Sequence, residues 1–276
     1  MELRKTYGDL REILRDVASG KLEIEEAVRL LRIFSIQNIE QKIKFDLGRS
    51  FRRDVPEIVF CEGKNKEDLL ELIKKVTPIV GKLILTRLSE EQIRELVAFS
   101  KVSEDFEINI NKIGRTCVVK LKGYEGSRTL NCKVGIITAG TADIRVAEEV
   151  RTILEENGCN VVSIFDVGIA GLHRTIEAVK KIKEENVDVA IVVAGMEGAL
   201  PSVIASMLDI PIIGVPTSVG YGAGGDGISA LLSMLQACPL GLTVVNIDNG
   251  VNAAISALLI CRRINTRLAT KDLLNS

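Results

Sequence analysis

The sequence predicts an α/β protein whose C-terminal half is a doubly wound parallel sheet. From residue 133 onward, five apolar strand-like runs alternate with amphipathic helical runs. Strands that are buried on both faces take the form of such apolar runs, and regular alternation of strand and helix is typical of parallel sheets. The chain has 276 residues, 46% of them hydrophobic, so it is long and apolar enough to bury a core of this kind.

Ahead of this sheet, the sequence predicts two helices and a smaller α/β domain. Apolar residues recur at helical spacing over residues 7–20 and 23–34, and a polar, basic connector follows to about residue 55. The small domain then combines the helices NKEDLLELIKKV and SEEQIRELVAFS with the strands EIVFC, KLILTRL, FEINI and TCVVKLK. The predicted divisions are residues 1–55, 56–128 and 129–276.

The five strands of the C-terminal half determine where a ligand is expected. They are KVGIITA, NVVSIFDV, VDVAIVVA, PIIGVP and LTVVNI, and a helical run follows each of them. In open parallel sheets, ligands bind in the crevice beyond the carboxyl ends of the strands. We therefore expect the functional residues in the loops that follow these strands.

Charge and hydropathy exclude several classes of function. Lys and Arg number 36 against 37 Asp and Glu, a net charge of -1 that provides no general attraction for nucleic acid. No run approaches the roughly 18 uncharged apolar residues of a membrane span, and the charged N-terminal segment lacks the apolar centre of a signal peptide. The sequence therefore predicts a cytoplasmic protein with neither nucleic acid nor membrane as a partner.

The cysteines predict buried thiols rather than a metal site or disulfides. The six cysteines are scattered, no two form a C-x-x-C pair, and there is a single histidine. Three of the cysteines lie in apolar runs, which favours reduced, packed thiols. No residue can be assigned as a metal ligand from this pattern.

The loop after the first strand, TAGTAD at residues 138–143, is a candidate phosphate site. Its small residues, Gly140 among them, let backbone N–H groups approach an anion at a helix N-terminus. Thr141 offers a hydroxyl, and Asp143 is suited either to a ribose hydroxyl or to capping the helix. The alternative is a simple turn with an Asp cap. The loop is not G-x-G-x-x-G, so a redox role for NAD is not expected.

The next two loops offer candidate acid–base and anion-binding groups. His173 and Arg174 follow the second strand at a helix start, where the forked guanidinium suits phosphate and a lone histidine is also commonly structural. Glu197 follows the third strand between Gly195 and Gly198. It is suited to act as a general base, or merely to interact with the helix dipole.

The fourth loop and the corner after the fourth helix complete the candidate residues. The loop PTSVGYGAGGDG contains five glycines, including Gly224 and Gly225 beside Asp226, and predicts either a flexible cover or a close approach of the backbone to a ligand. Cys238 lies at the end of the following helix, away from the ligand edge. A helix C-terminus does not acidify a thiol, so the local pattern favours a packing role for Cys238.

These loops together resemble a known family. The runs TAGTADIRVAEE, GLHR, AGMEGALPSVIA, GVPTSVGYGAGGDGISALLSML and VVNIDNGVNAA are similar to AIR-carboxylase-like proteins of the PurE superfamily, and most similar to its LarB group. The resemblance extends weakly through FDLGRSFRRDVPEIVFCEGKNKEDL. It implies a PurE-like sheet and a homo-octamer. Purine-pathway carboxylases carry a histidine in the loop where this chain has Glu197, a departure that favours the LarB group.

The resemblance also implies an activity. LarB-like proteins act as pyridinium-3,5-biscarboxylic acid mononucleotide synthases in nickel-pincer cofactor biosynthesis. They carboxylate nicotinic acid adenine dinucleotide with CO2 or bicarbonate and release AMP. By this resemblance, Cys238 is the nucleophile and Glu197 the candidate base, while Thr141, Asp143, His173 and Arg174 hold phosphate and ribose, with Mg²⁺ as a suitable ion. The alternatives are a purine-pathway aminoimidazole ribonucleotide carboxylase or mutase, a non-catalytic nucleotide-binding protein and a structural assembly protein.

Overall fold

The computed structural model describes residues 10–28, 36–39, 43–46, 55, 57–124 and 126–274. Helix α1 spans Leu10–Ala18, and residues 24–28 are also helical. Ile13 and Ala27 are buried, whereas Leu14 and Ile24 are exposed among the described residues. The rest of the second predicted helix, residues 29–34, and the basic run at residues 48–53 lie outside the described residues.

A short strand pair lies within the segment that the sequence predicts as a connector. Strands β1, Ile36–Ile39, and β2, Ile43–Asp46, pair in antiparallel fashion. Each strand has only four residues, and an alternation as short as IKFD in β2 does not distinguish a strand from a loop. No strand was predicted for these residues, and the structure adds this pair to the connector.

The small α/β domain is a four-stranded mixed sheet with two helices on one face. Its elements are β3 Ile58–Phe60, α2 Lys66–Val80, β4 Lys82–Thr86, α3 Glu90–Val102, β5 Phe106–Asn111 and β6 Thr116–Leu121. The strand order is β3-β4-β6-β5, with β3 parallel to β4 and the other pairs antiparallel. Ser89 and Gln92 form a reciprocal capping box at the start of α3.

The C-terminal half confirms the predicted parallel sheet. Its elements are β7 Lys133–Thr138, α4 Ile144–Glu156, β8 Asn160–Ile164, α5 Leu172–Glu184, β9 Val189–Ala194, α6 Leu200–Ala205, β10 Ile212–Pro216, α7 Ile228–Leu235, β11 Leu242–Val244 and α8 Gly250–Leu274. The strand order is β11-β10-β9-β7-β8, and every pair is parallel. All six residues of β9, the central strand, are buried.

Helices cover both faces of this sheet. Helices α4 and α8 contribute to one apolar cluster, and α5, α6 and α7 contribute to the other. The strand order reverses between β7 and β9, because the chain leaves β7 for one edge and returns to build the other. A crevice opens at such a switch point beyond the carboxyl ends of the strands. The fold therefore directs attention to the loops after β7 and β9.

The small domain packs directly on the parallel-sheet domain. Ile58 and Ile84 belong to the same buried cluster as apolar residues of α4 and α8. Polar contacts accompany the apolar ones, since Asn111 Nδ2 donates to Glu148 Oε2 at 2.7 Å. A Cβ at Gly114 would lie 2.9 Å from the backbone of Glu148, so only glycine permits this approach. One face of the small sheet thus contributes to a buried cluster of the parallel-sheet domain, while the other face and its two helices form a separate cluster.

The cysteines depart from the prediction at one pair. Cys132, just before β7, and Cys261, in α8, form a disulfide with a Cα–Cα distance of 5.4 Å, so the expectation of reduced thiols is wrong for them. The contact joins residues 129 positions apart, which spacing along the chain does not reveal. Cys61, Cys117 and Cys159 are free and buried, as predicted. Burial raises the pKa of the Cys61 thiol to about 12 and that of Cys159 to about 11.

Among the described residues, no helix combines the length and the apolar character needed to cross a bilayer.

Candidate active site

The candidate site lies where the loops after β7, β9, β10 and β11 meet. At its centre is Asp143, whose side chain is 2% exposed. Asp143 Oδ2 accepts the backbone N–H of Gly140 at 2.9 Å, and Oδ1 accepts the hydroxyl of Thr217 at 2.7 Å. The backbone of Gly195 also lies near this carboxylate and lowers its pKa. Asp143 thus joins the loops that follow three neighbouring strands.

Burial dominates the electrostatics of Asp143. Removal from water raises the pKa of its carboxyl above the ordinary value, and the hydrogen bonds from Thr217 and Gly140, together with the backbone of Gly195, oppose that shift. The carboxylate does not cap α4, because the structure shows no side-chain hydrogen bond at that position. With its oxygens engaged by protein donors, Asp143 organises the loops around it.

The Gly-rich segment, residues 216–227, is tied down at three consecutive positions. Thr217 binds Asp143, and Val219 accepts the backbone N–H of Met196 at 2.7 Å. Between them, Ser218 binds the carboxylate of Asp248 through both its N–H, at 3.1 Å, and its hydroxyl, at 2.6 Å. Each of these contacts comes from a different loop, so the loops after β7, β9 and β11 together hold the start of the segment in place.

The predicted substrate residues of this segment lie beyond those anchors. Gly224, Gly225 and Asp226 belong to a short 3-10 segment, Gly222–Gly227, in which Asp226 is exposed and has a φ of 58°. A Cβ at Gly227 would lie 2.8 Å from the carbonyl oxygen of Thr217. The end of the segment therefore packs closely against its own start.

His173 and Arg174 lie at the start of α5, as predicted. Their surroundings differ from each other, because Arg174 binds another side chain and His173 faces solvent. Arg174 Nη1 donates to the carbonyl of Asp166 at 2.7 Å and to its carboxylate at 2.9 Å. His173 is exposed. Asp166 is itself attached to β7, because its N–H donates to Thr138 Oγ1 at 3.1 Å. An incoming phosphate would share the Arg174 guanidinium with Asp166.

Glu197 occupies an exposed tight turn after β9. Met196 before it has a φ of 50°, and Gly198 after it has a φ of 65°. A Cβ at Gly198 would lie 2.6 Å from the carbonyl oxygen of Ala230 on α7, and one at Gly195 would lie 2.2 Å from that of Val219. The two glycines let this turn pack closely against its neighbours while the Glu197 side chain stays exposed at the carboxyl edge.

Cys238 lies at the opposite edge of the sheet. It follows α7 and precedes β11, and nearby Gly241 accepts the N–H of Ile212, the first residue of β10. Its thiol is free and exposed, so the local expectation of a packing role is wrong. The physical reason is that the corner lies outside both apolar clusters of the sheet. Exposed apolar side chains on either side of it in the chain are Leu235, at the end of α7, and Leu240, before β11.

Sequence reasoning missed the residues that hold the loops together. Thr217 and Ser218 form side-chain contacts with Asp143 and Asp248, in loops that are distant in the chain, whereas Asp166 binds Arg174 within its own loop. One signal was present, because Thr217, Ser218 and Asp248 each follow a predicted strand within a few residues, where parallel strands bring polar groups together.

The part of the chain that the structure describes contains no cluster of three or more His, Cys, Asp and Glu side chains suited to a metal ion. Mg²⁺ is often held by one or two carboxylates together with substrate phosphates. The expectation of Mg²⁺ stays a prediction.

Comparison with known proteins agrees with this architecture. The family model for AIR carboxylase matches residues 133–273, and the model for the LarB/PurE-like N-terminal domain matches residues 37–122. An uncharacterized protein of Methanocaldococcus jannaschii is 42% identical over 92% of this chain and 97% of its own length. The N5-carboxyaminoimidazole ribonucleotide mutase of the same organism is 40% identical over 49% of this chain and 83% of its own. The phosphoribosylaminoimidazole carboxylase of Saccharomyces cerevisiae is 32% identical over 50% of this chain and 24% of its own length.

Proposed function

Because the chain belongs to the AIR carboxylase family and carries a LarB/PurE-like N-terminal domain, we propose that it carboxylates a pyridinium ring. The substrate in this proposal is nicotinic acid adenine dinucleotide, and CO2 or bicarbonate supplies the carboxyl group. The products are pyridinium-3,5-biscarboxylic acid mononucleotide and AMP, which places the protein in nickel-pincer cofactor biosynthesis. NAD redox chemistry has no part in this reaction.

The observation that carries the proposal is the free, exposed thiol of Cys238. All six cysteines are among the described residues, and Cys238 is the only exposed one. A pyridinium carbon is electron-poor and does not attack CO2 unaided. Addition of a thiolate to ring carbon 6 forms a C–S bond and moves an electron pair onto the ring nitrogen. Carbon 5 then has the character of an enamine carbon and attacks CO2.

Two steps complete the reaction. A base removes the proton from carbon 5, the C–S bond breaks with its electron pair returning to sulfur, and the ring becomes aromatic again. Hydrolysis of the phosphoanhydride by water then releases AMP. Glu197 is the proposed base because its carboxylate is exposed at the carboxyl edge.

The other site residues hold the dinucleotide in this proposal. Backbone N–H groups near Gly140 and the hydroxyl of Thr141 are suited to a phosphate, with Arg174 and His173 nearby at the start of α5. Asp143, whose oxygens already accept protein donors, positions the loops. The Gly-rich segment, with Gly224, Gly225 and Asp226, covers the bound substrate.

The position of Cys238 requires a second copy of the chain. Its thiol lies at the amino edge of the sheet, whereas Glu197 and Asp143 lie at the carboxyl edge. Ile228, Leu232 and Leu235 are each more than half exposed and recur at i, i+4 and i+7, so they form one apolar face along α7, the helix that ends just before Cys238. We propose that this face packs on another protomer within a homo-octamer and brings Cys238 to that protomer's cleft.

One reaction tests the proposal directly. The purified protein is incubated with nicotinic acid adenine dinucleotide and ¹³C-labelled bicarbonate, and the mixture is analysed by mass spectrometry. We expect labelled biscarboxylic mononucleotide and AMP from the unaltered protein and no carboxylation from Cys238→Ala. Cys159→Ala is the matched control, because that thiol is buried and free. Full carboxylation by Cys238→Ala would contradict the proposed nucleophile.

Mixed assemblies test the shared site. Cys238→Ala and Glu197→Gln each inactivate a different half of the site, so each variant alone should be inactive. If the halves come from different protomers, co-assembly of the two variants restores part of the activity. Continued inactivity of folded, mixed assemblies would contradict a site shared between protomers.

A second candidate is a purine-pathway carboxylase or mutase. The 40% identity to the mutase of Methanocaldococcus jannaschii favours it, and Glu197 in the loop after β9 argues against it. Incubation with aminoimidazole ribonucleotide and labelled bicarbonate distinguishes the two. Labelled carboxyaminoimidazole ribonucleotide would favour this second candidate.

A further inference from the structure

A side chain of the small domain reaches the loops of the candidate site. Arg87 follows β4, and its Nη2 donates to the carbonyl oxygen of Asp248 at 2.7 Å. Asp248 belongs to the parallel-sheet domain and lies 161 residues further along the chain. Most other polar contacts between the domains involve α4, well away from the Gly-rich segment. This one is different because Asp248 binds that segment.

Contacts within the small domain fix the direction of Arg87. The Arg87 backbone has a φ of 55°, a conformation that non-glycine residues seldom adopt. Its guanidinium lies over the ring of Phe60, 5.6 Å from the centroid, and contacts Glu62 Oε2 at 3.4 Å. With the Phe60 ring and the Glu62 carboxylate on its small-domain side, the guanidinium is oriented toward Asp248.

Asp248, which accepts the hydrogen bond from Arg87, also binds the Gly-rich segment. Its carboxylate accepts both the N–H and the hydroxyl of Ser218, and its own N–H donates to the carbonyl of Pro216 at 2.9 Å. Arg145 from α4 lies 3.7 Å from Asp248 Oδ1. Asp248 itself has a φ of 54°, so its backbone depends on surrounding contacts to keep this conformation.

We propose that Arg87 is a positioning residue through which the small domain sets the conformation of the Gly-rich segment. The path is Arg87 to the backbone of Asp248, and the Asp248 carboxylate to Ser218. The small domain thereby takes part in forming the substrate site through this chain of contacts. This inference rests on the proposed function only in taking the Gly-rich segment as the cover of that site.

Hydrogen–deuterium exchange tests the path without any substrate. For Arg87→Ala in the full chain, we expect peptides covering residues 216–227 to exchange about fivefold faster, the factor for the net contribution of one hydrogen bond. Arg87→Lys keeps a donor and should restore part of the protection. Arg94→Ala, an exposed arginine of the same domain on α3, is the matched control and should change nothing there.

A double-mutant cycle separates this path from general destabilisation. Ser218→Ala removes the hydroxyl that binds Asp248 and should speed exchange of the same peptides. If both side chains act through Asp248, Arg87→Ala with Ser218→Ala exchanges no faster than the more affected single variant. If the fold-increases in exchange rate of the two single variants multiply in the double variant, the proposal is overturned. A uniform increase in exchange rate over the whole chain would also overturn it. If Arg87→Ala does not fold, Arg87→Lys takes its place in the cycle.

Kinetics supplies the functional readout. With nicotinic acid adenine dinucleotide as substrate, Arg87→Ala should raise KM several-fold and leave kcat within about twofold, because the cover binds substrate and holds no reacting group. A fall in kcat alone would overturn the proposed role. If the unaltered protein does not carboxylate this substrate, the proposed function fails, while the exchange result still tests the positioning role.

Discussion

Thr217 donates its hydroxyl to Asp143 at 2.7 Å in a buried hydrogen bond that joins residues 74 positions apart. Both residues are essentially inaccessible to water, with exposures of 0% and 2%. The bond connects the start of the Gly-rich segment to the loop after β7. Its loss would leave a buried carboxylate with one donor fewer, which is more costly than the bond itself is stabilising.

Thr217→Val should therefore lower the free energy of unfolding by about 1–3 kcal/mol. Valine matches threonine in shape, so the change isolates the hydroxyl. The pKa of the Asp143 carboxyl, already raised by burial, should rise further because the Thr217 bond opposes that shift. Urea unfolding measures the effect, with Thr217→Ser as a control that keeps the hydroxyl. If Thr217→Val and Thr217→Ser lower the free energy of unfolding equally, the effect comes from packing and not from the hydroxyl.

A second prediction concerns the charges between the two domains. Glu156 of α4 accepts Lys120 Nζ at 2.9 Å and lies 3.7 Å from Lys82 Nζ. The Lys82 side chain is only 5% exposed. Burial lowers the pKa of Lys82, and the charge of Glu156 opposes that effect. Removing one partner of a buried pair is costly because the remaining charge is left uncompensated.

Glu156→Gln should accordingly destabilise the protein by about 2–3 kcal/mol, below the value for a fully buried pair because Lys120 is partly exposed. Thermal unfolding at neutral pH provides the measurement. Glu184→Gln is the control, since Glu184 and Lys180 form an exposed pair on α5 that contributes little. Equal effects of the two substitutions would mean that burial of Lys82 does not matter.

Much of this fold follows from local patterns in the sequence. The strands from Lys133 onward are apolar runs and their helices are amphipathic, and each signal is contained within a few consecutive residues. Their alternation was sufficient to predict the parallel sheet and the edge at which the loops meet. The strands β1 and β2 were missed because four residues are too few to show a period.

The missed features of the site are contacts between distant residues. Nothing near Cys132 indicates that α8 will bring Cys261 to it, and nothing near Ser218 indicates Asp248 as its partner. Such pairings are set by how layers pack. The exposure of Cys238 also depends on packing rather than on local sequence. Whether that corner is covered is decided by where α7 ends relative to the edge of the sheet.

A third prediction follows from Glu149 on α4, which is 5% exposed. Burial raises the pKa of its carboxyl to about 7, and Asp248 raises it too, while Arg87, Arg145 and Arg115 oppose the shift. The folded protein therefore binds more protons than the unfolded chain between the ordinary pKa near 4.5 and 7. The stability linked to this group is present below pH 4.5 and is lost as the pH rises through 7.

Glu149→Gln should remove the decrease in stability that accompanies ionisation of Glu149 as the pH rises through 7. Relative to the unaltered protein, we expect the variant to gain on the order of 3 kcal/mol at pH 8 compared with pH 4.5. Unfolding curves across this pH range measure the difference. Glu148→Gln is the neighbouring control, whose carboxylate is held by Asn111 and Arg151. An unchanged pH profile in Glu149→Gln would show that Glu149 titrates normally.

The disulfide supplies the last prediction. Cys132 and Cys261 close a loop of about 130 residues, and cross-linking a loop of this size restricts the unfolded chain strongly. Chain-entropy arguments give roughly 4–5 kcal/mol for such a loop, and measured losses for native disulfides are about 2–5 kcal/mol. Cys132→Ala with Cys261→Ala should therefore lower the midpoint of thermal unfolding markedly. The paired substitution avoids leaving a reactive thiol in the core.

Reduction distinguishes loss of the cross-link from loss of packing. If the bond itself stabilises the protein, a reducing agent should lower the unfolding midpoint of the unaltered protein toward that of the double variant and leave the variant unchanged. Cys159→Ala controls for a small cavity in the same apolar cluster, since Cys159 is buried there without a bond. A midpoint that reduction does not move, despite a fully reduced pair in thiol titration, would assign the stability to the packing of β7 against α8.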